Sequence, residues 1–165
     1  MKKVICRYIK DNYEKAIAMY IRKKVFVEEQ KLFIDTDEDQ FDDRAIHLVA
    51  EFDGTIVGTV RLYSETEDVW VGGRLAVLPE YRGRAGACLV ERAVQEAVMQ
   101  GAKLFKANVQ KQNENFFQRL GWETMENDIQ ICGIEHVRMH GPLNNVLIEN
   151  PVCQEGPYFN RINCL

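Results

Sequence analysis

Two runs of alternating character, Ile46 to Phe52 and Thr55 to Tyr63, are joined by the dipeptide Asp53-Gly54. In the first run Ile46, Leu48, Ala50 and Phe52 share one side, with His47, Val49 and Glu51 on the other. That is the two-residue period of a strand. A two-residue link between strands needs positive φ at both positions, and Asp-Gly tolerates it. The segment predicts a hairpin, so whatever surrounds it must accept an antiparallel pair in the middle of the chain.

The remaining elements are placed around that pair. Val4 to Ile9 reads as a short strand ended by Asp11-Asn12. Tyr13, Ile17, Tyr20 and Ile21 recur at helical spacing, giving a helix that runs, with a break, to about Glu29. Val69 to Leu78 is a third long strand closed by Pro79, and its interior Gly72-Gly73 marks a bulge or a close backbone approach. Leu89, Ala93 and Ala97 with Val90, Val94 and Val98 form the apolar face of a helix from Gly86 to Gln100, stopped by Gly101. A strand over 103–109, a short helix over 113–120 stopped by Gly121, and a β region over 123–139 divided by Gly133 complete the order. From His140 onward Pro142, Pro151 and Pro157 exclude a regular helix. Hairpins come first and crossover helices later, so the fold class is α/β (α+β), a mixed sheet with helices on both faces. The domain spans 1–139, and 140–165 is an irregular tail whose Val146-Leu147-Ile148 and Tyr158-Phe159 pack either on the domain or on a second copy in a homodimer.

The chain's 165 residues make about one domain, able to bury roughly 70% of its surface without a staple. Its 21 Lys+Arg against 25 Asp+Glu argue against a general nucleic-acid binder. Arg7, Lys10 and Asp11 interrupt any signal-like apolar run after Met1-Lys2-Lys3, and no stretch is long and apolar enough to span a membrane. Cys6, Cys88, Cys132, Cys153 and Cys164 are an odd set without C-x-x-C spacing. They read as reduced thiols in a cytoplasmic protein. Grouped with His136 and His140, the later cysteines match no metal-site spacing. The acidic run Asp35 to Asp43 is either a solvated loop or a negative mouth for a cationic substrate.

Chemistry concentrates in Arg74-Leu-Ala-Val-Leu-Pro-Glu-Tyr-Arg-Gly-Arg-Ala-Gly-Ala-Cys88, which runs strand, turn, helix start. The unsatisfied N–H groups and partial positive charge of a helix N-terminus suit a phosphate. Arg82 and Arg84 add fixed charge, and Gly83, Ala85, Gly86 and Ala87 let a ligand approach the backbone. Together they suit a pyrophosphate. Neither a Walker A loop nor a G-x-G-x-x-G fingerprint is present.

These residues carry a resemblance. Arg82-Gly83-Arg84-Ala85-Gly86-Ala87, after a strand ending Val77-Leu-Pro79, resembles motif A of the GNAT N-acetyltransferase superfamily, [Q/R]-x-x-G-x-[G/A], matching at Arg82 and Ala87 but carrying Ala85 at the middle glycine. Arg22-Lys-Lys-Val-Phe-Val-Glu-Glu-Gln30 resembles the R-x-x-V-F-V-x-E-Q opening of a small bacterial branch. Gln110 to Trp122 is similar to the late element ending F-Y-x-x-x-G-F. The resemblance implies a mostly antiparallel sheet splayed at its centre, with the pantetheine arm of acetyl-CoA, the co-substrate, between the strand at Leu75-Ala76-Val77 and the strand at 103–109. It implies that Arg82 to Cys88 take the pyrophosphate, that Asn113 and Phe116 wall the cofactor, and that the Val77 N–H donates to the thioester oxygen. The acceptor amine of a small molecule then attacks directly.

The proton carriers are less marked. Where the family often places a tyrosine as acid, this chain has Phe117, which cannot donate. Glu28 is either the base or surface charge, and His47 is either a base at the substrate or a structural histidine. Arg74 either clamps a substrate carboxylate or pairs with the acidic run. Cys88, at the helix start, reads as a small packing residue. Three activities fit: N-acetyl transfer, acyl-homoserine-lactone-like synthesis from a carrier protein docking on Arg22-Lys23-Lys24, or a non-catalytic acyl-CoA sensor.

Overall fold

The computed structural model describes residues 2–145, so the tail beyond them lies outside the described residues. Seven strands form one sheet: β1 (Val4–Tyr8), β2 (Ile46–Phe52), β3 (Thr55–Ser64), β4 (Val69–Val77), β5 (Leu104–Gln110), β6 (Glu123–Ile131) and β7 (Ile134–His140). Their order is β1-β2-β3-β4-β5-β7-β6, and β4 with β5 is the one parallel pairing among the described residues. The β2–β3 hairpin turns through Asp53 at φ 52° and Gly54 at φ 78°, as the dipeptide predicts.

Helix α1 (Asn12–Arg22) starts where the Asp11 carboxylate accepts from the Glu14 N–H at 2.9 Å, which meets one of the unsatisfied first-turn donors. The expected break follows at once: the chain widens into a π-helical turn, Lys23–Glu29. Helix α2 (Arg82–Met99) begins four residues earlier than the sequence indicates, after a 3₁₀ turn at Pro79–Tyr81. The motif's glycines therefore lie in the first turns of the helix rather than ahead of it. A short helix, α3 (Glu114–Arg119), precedes β6.

Side-chain alternation along β4 divides the interior in two. Ala76 packs with Ile21, Val25 and Phe26 under α1 and the π-turn. Val77 and Leu75 pack on the opposite face with Leu89, Val90, Ala93 and Phe105 under α2. Helices thus cover both faces of the sheet, as predicted. Each face hides its apolar residues from water, at about 25 cal/mol per Å² buried.

One expectation is overturned. Cys6 on β1 and Cys88 on α2, with Cα atoms 6.3 Å apart, form a disulfide, so these two thiols are not free and Cys88 is more than a packing residue. Cys132 is the free cysteine among the described residues. Cysteine spacing alone could not show this, because the pair depends on α2 crossing the outermost strand of the sheet. The same crossing brings the Tyr8 hydroxyl to the buried Glu96 carboxylate, and burial followed by that contact pushes the phenol up to about 12. Among the described residues no helix is long and apolar enough to cross a membrane.

Candidate active site

The site begins with a fault in the sheet. β4 and β5 pair from Val69↔Leu104 to Gly72↔Ala107 and then part. Past that point β5 keeps β7 as its partner on the other side, and β4 keeps β3. The separation has a local cause. Between Arg61↔Gly73 and Thr59↔Ala76 the single residue Val60 faces two, Arg74 and Leu75. Arg74 takes φ 55°, in the left-handed region. Such a bulge bends its strand and adds twist, carrying β4 away from β5. Gly72 is the last paired residue, and a Cβ there would sit 2.8 Å from Cζ of Phe105, so the close approach expected from the glycine pair occurs at this residue.

Beyond the bulge β4 presents backbone to the gap. Leu78 N–H bonds to the Val57 carbonyl, so Leu78 and Val57 form a hydrogen-bonded pair. In the alternation of an antiparallel ladder, the next pair, Val77↔Gly58, directs its N–H and C=O away from β3. Both groups of Val77 therefore face the opening.

A cavity of about 160 Å³ fills it. One side is walled by Phe26, Gln30 and Phe33 from the π-turn and the loop after it, together with Arg74. The other side lies under α2 and α3, against Val90, Ala93 and Phe117. The cavity thus passes through the sheet from one face to the other. Phe117 stacks edge-on against Trp122 with centroids 5.3 Å apart, and both rings are buried.

The start of α2 follows a 3₁₀ turn; no side chain caps it and its first turn holds no acidic residue, so no carboxylate offsets its positive dipole end. Gly83 has open space around its α-carbon, whereas a Cβ on Gly86 would touch Phe116 at 3.6 Å. Ala85 is fully buried and faces the core, which is why alanine is accommodated at the motif's middle glycine. Arg84 is exposed. Arg82 already has partners: its Nε donates to the Val77 carbonyl at 3.2 Å, and its Nη2 meets the Glu29 carboxylate.

Beneath the opposite rim lies a set of ion pairs of which sequence reasoning foresaw one, Arg74 with the acidic run, and missed those of Arg22 and Arg61. Arg22 is buried and grips Asp37 from Nε at 2.7 Å and Asp42 from Nη1 at 2.6 Å. Arg61 holds Asp39 with two bonds and approaches Asp42 at 2.8 Å. Arg74 reaches Asp37 at 3.1 Å and Asp39 at 3.2 Å, with its guanidinium 5.0 Å above the Phe33 ring. The acidic run is accordingly neither a solvated loop nor a negative mouth at these positions. It is the counter-charge of three arginines. Burial by itself would raise the Asp42 carboxyl, but the Arg22 guanidinium, the Asp39 N–H and the Arg61 guanidinium outweigh it and hold Asp42 well below the usual carboxylate range. This arrangement also removes Arg22 from any basic docking face, and Lys24 is paired with Glu28 at 3.0 Å.

The structure thus brings Arg74, Leu75, Phe117 and Asn113 to the cavity, whereas Ala76, Val77, Arg82, Gly83, Arg84, Ala85, Gly86 and Phe116 do not line it. It does not bring Glu28, which is exposed beside Lys24, or His47. His47 is buried on β2 itself, with Nε2 2.9 Å from the Asp42 carbonyl and burial holding its imidazole below the ordinary value. Ala87 and Cys88 lie farther into α2, the latter tied to β1. Sequence reasoning missed Gln30 and Gln110, whose amides join across the cleft at 3.0 Å, and His136 on β7. The strand period would have put His136 and Met139 on opposite faces, but which face borders the gap depends on β7 inserting between β5 and β6.

Residues 9–122 match the model of the acetyltransferase (GNAT) family. A protein of Bacillus subtilis, provisionally named an acetyltransferase, is 35% identical over 131 residues, covering 74% of this chain and 85% of its own length. Among solved structures, one from Lactobacillus plantarum, provisionally titled an N-acetyltransferase, superposes with a TM-score of 0.76 at 24% identity, over 86% of this chain and 99% of that one. The acyl-homoserine-lactone synthase LasI superposes with a TM-score of 0.68 at 12% identity, over 87% and 90% of the two chains. At such identities these structures speak for the fold alone.

Proposed function

The chain belongs to the acetyltransferase (GNAT) family and is an N-acetyltransferase, and on that premise we propose that it moves acetyl from acetyl-CoA to the amine of a small molecule by direct attack in a ternary complex. The observation that carries this reading is the parting of β4 from β5 after Gly72 and Ala107, with both backbone groups of Val77 turned into the gap. An extended pantetheine arm has the amides to replace the missing strand. The uncapped start of α2, with Arg82 and Arg84, supplies donors and positive charge for the pyrophosphate at the rim.

The Val77 N–H would donate to the thioester oxygen as negative charge develops there, a contribution on the order of 3 kcal/mol for one such donor. The acceptor approaches from the side of Phe26, Phe33 and Arg74. Its amine attacks the carbonyl carbon, the C–S bond breaks, and the thiolate leaves. Phe117 offers that thiolate no proton, but a CoA thiol is acidic enough to depart without one. Binding two reactants in line is itself worth several powers of ten in rate.

A second reading, a donor longer than acetyl, draws on the apolar inner end of the cavity between Val60, Val90, Ala93 and Phe105. The fold shared with an acyl-homoserine-lactone synthase is compatible with it. Calorimetry with acetyl-CoA, octanoyl-CoA and CoA, followed by thiol release across a panel of primary amines, tests both. Micromolar acetyl-CoA binding and amine-dependent thiol release are expected. Turnover with octanoyl-CoA alone would favour the second reading, and no binding of any of the three would refute both.

A further inference from the structure

We propose that His136 is the base that takes the proton from the acceptor's ammonium group, an inference that rests on the transferase reading above. His136 lies on β7 opposite Gln110 of β5 and Ile129 of β6. Val109 is in the core under α2, so its neighbour Gln110 points to the other face, where it meets Gln30, the residue that follows the π-turn. Cross-strand partners share a face, which puts His136 on the side from which the acceptor enters. Its register partner Gln110 stands three residues past Ala107, where β5 has already parted from β4, so His136 borders the gap on the β5 side. The residue lines the cavity.

The ring's second contact fixes what it can do. Nδ1 is 2.8 Å from the carbonyl oxygen of Ile134, two residues back. A carbonyl only accepts, so in the neutral ring Nδ1 bears the hydrogen and Nε2 bears the lone pair. Although His136 is 93% buried by its 7% exposure, Nε2 is not among the sealed, unpartnered polar atoms of the described residues. Among the described residues it meets no hydrogen-bond partner, and the residue lines the cavity. The charged groups on the elements around it are mostly engaged elsewhere. Lys111 pairs with Glu114, Arg138 with Glu126, Lys106 with Glu65, and Arg74 with Asp37 and Asp39. On the π-turn Glu28 and Glu29 pair with Lys24 and Arg82, while Asp128 of β6 and Glu135 of β7 are exposed.

An N–H bond of the ammonium breaks and an Nε2–H bond forms, directly or through one water. The freed lone pair attacks the thioester carbon, the C–S bond breaks, and the second amine proton goes to the departing thiolate. The products are amide, CoA thiol and one proton, which His136 releases to solvent.

The test compares wild type with H136Q on the best acceptor from a panel of amino acids, arylalkylamines, amino sugars and polyamines. At neutral pH kcat/KM should fall at least 50-fold, with the Kd for acetyl-CoA unchanged within twofold. The deficit should shrink below fivefold as pH approaches the amine's own pKa, where the acceptor loses its proton unaided. A deficit equal at every pH, or none, overturns the role while leaving the transferase intact. A wild-type chain that binds no acetyl-CoA, or turns over no amine, overturns both. If H136Q does not fold, histidine ¹⁵N NMR of the wild type decides, with the chain's three histidines assigned through H47Q and H140Q. His136 must show an unprotonated Nε2 when neutral, and an Nε2–H tautomer overturns the proposal.

Discussion

The Nε of Arg82 donates to the carbonyl oxygen of Val77 at 3.2 Å, joining the first residue of α2 to the last residue of β4. The same guanidinium holds the Glu29 carboxylate. Two groups that the proposed function assigns to the cofactor, a backbone acceptor and a cation, are thus engaged with each other and with an internal anion. On the proposed reading, binding the cofactor exchanges the Glu29 contact for phosphate.

That exchange can be measured. Glu29→Gln should tighten CoA about two- to fivefold, since the pair is exposed and exposed pairs contribute under about 1 kcal/mol. Arg82→Glu with Arg84→Glu should weaken CoA at least tenfold. Calorimetry reads both, and an unchanged Kd in the double variant would count against the α2 start as the phosphate site.

Arg22→Ala would leave Asp37 and Asp42 buried without their shared cation. Breaking a buried pair from one side costs about 3–5 kcal/mol, because the remaining charge keeps its desolvation penalty. Urea unfolding should show a loss of that order, whereas Lys24→Ala at the exposed end of the same turn should change stability by less than about 1 kcal/mol.

Asp42 also sets a pH dependence. Its folded carboxyl lies below the ordinary 3.8, so the unfolded chain binds the proton more readily. Stability from this group is complete above the unfolded value and is lost as pH falls through 3.8 and below. Asp42→Asn should flatten that acid limb in unfolding curves taken between neutral pH and pH 3.

The Cys6–Cys88 link closes a separation of 82 residues, for which chain entropy gives about 4 kcal/mol. Reductant should lower the Tm of the wild type but not of Cys6→Ala with Cys88→Ala, and equal shifts in the two would contradict the link.

Gly72→Val places carbon 2.8 Å or less from the Phe105 ring, where the end of the β4–β5 pairing leaves no room. Overpacking of this kind costs about 1–3 kcal/mol. Differential scanning calorimetry should record it, and Gly73→Ala, with open space around its α-carbon, should not show a loss of that steric origin.

What the chain declared by itself was local. Asp53-Gly54, Gly101, Gly121 and Gly133 all adopt the positive φ that such residues permit, so the hairpins and helix ends could be read directly. The 2.0 and 3.6 periodicities located the strands and helices, and the segment from Arg74 to Cys88 pointed to the family. The start of α2 was misplaced because Arg82-Gly83-Arg84 lacks a capping side chain to mark it.

What only the tertiary structure decided was pairing at a distance. Asp37, Asp39 and Asp42 look like a solvated run until β3 and β4 bring Arg61 and Arg74 against them, and Arg22 looks like a surface cation until α1 turns it inward. Cys6 and Cys88 meet because α2 crosses the sheet, and His136 reaches the cleft because β7 inserts beside β5. Backbone preference acts over a few residues and leaves its mark in the sequence. Charge neutralisation, bond formation and access to a cavity depend on which distant segments share a space.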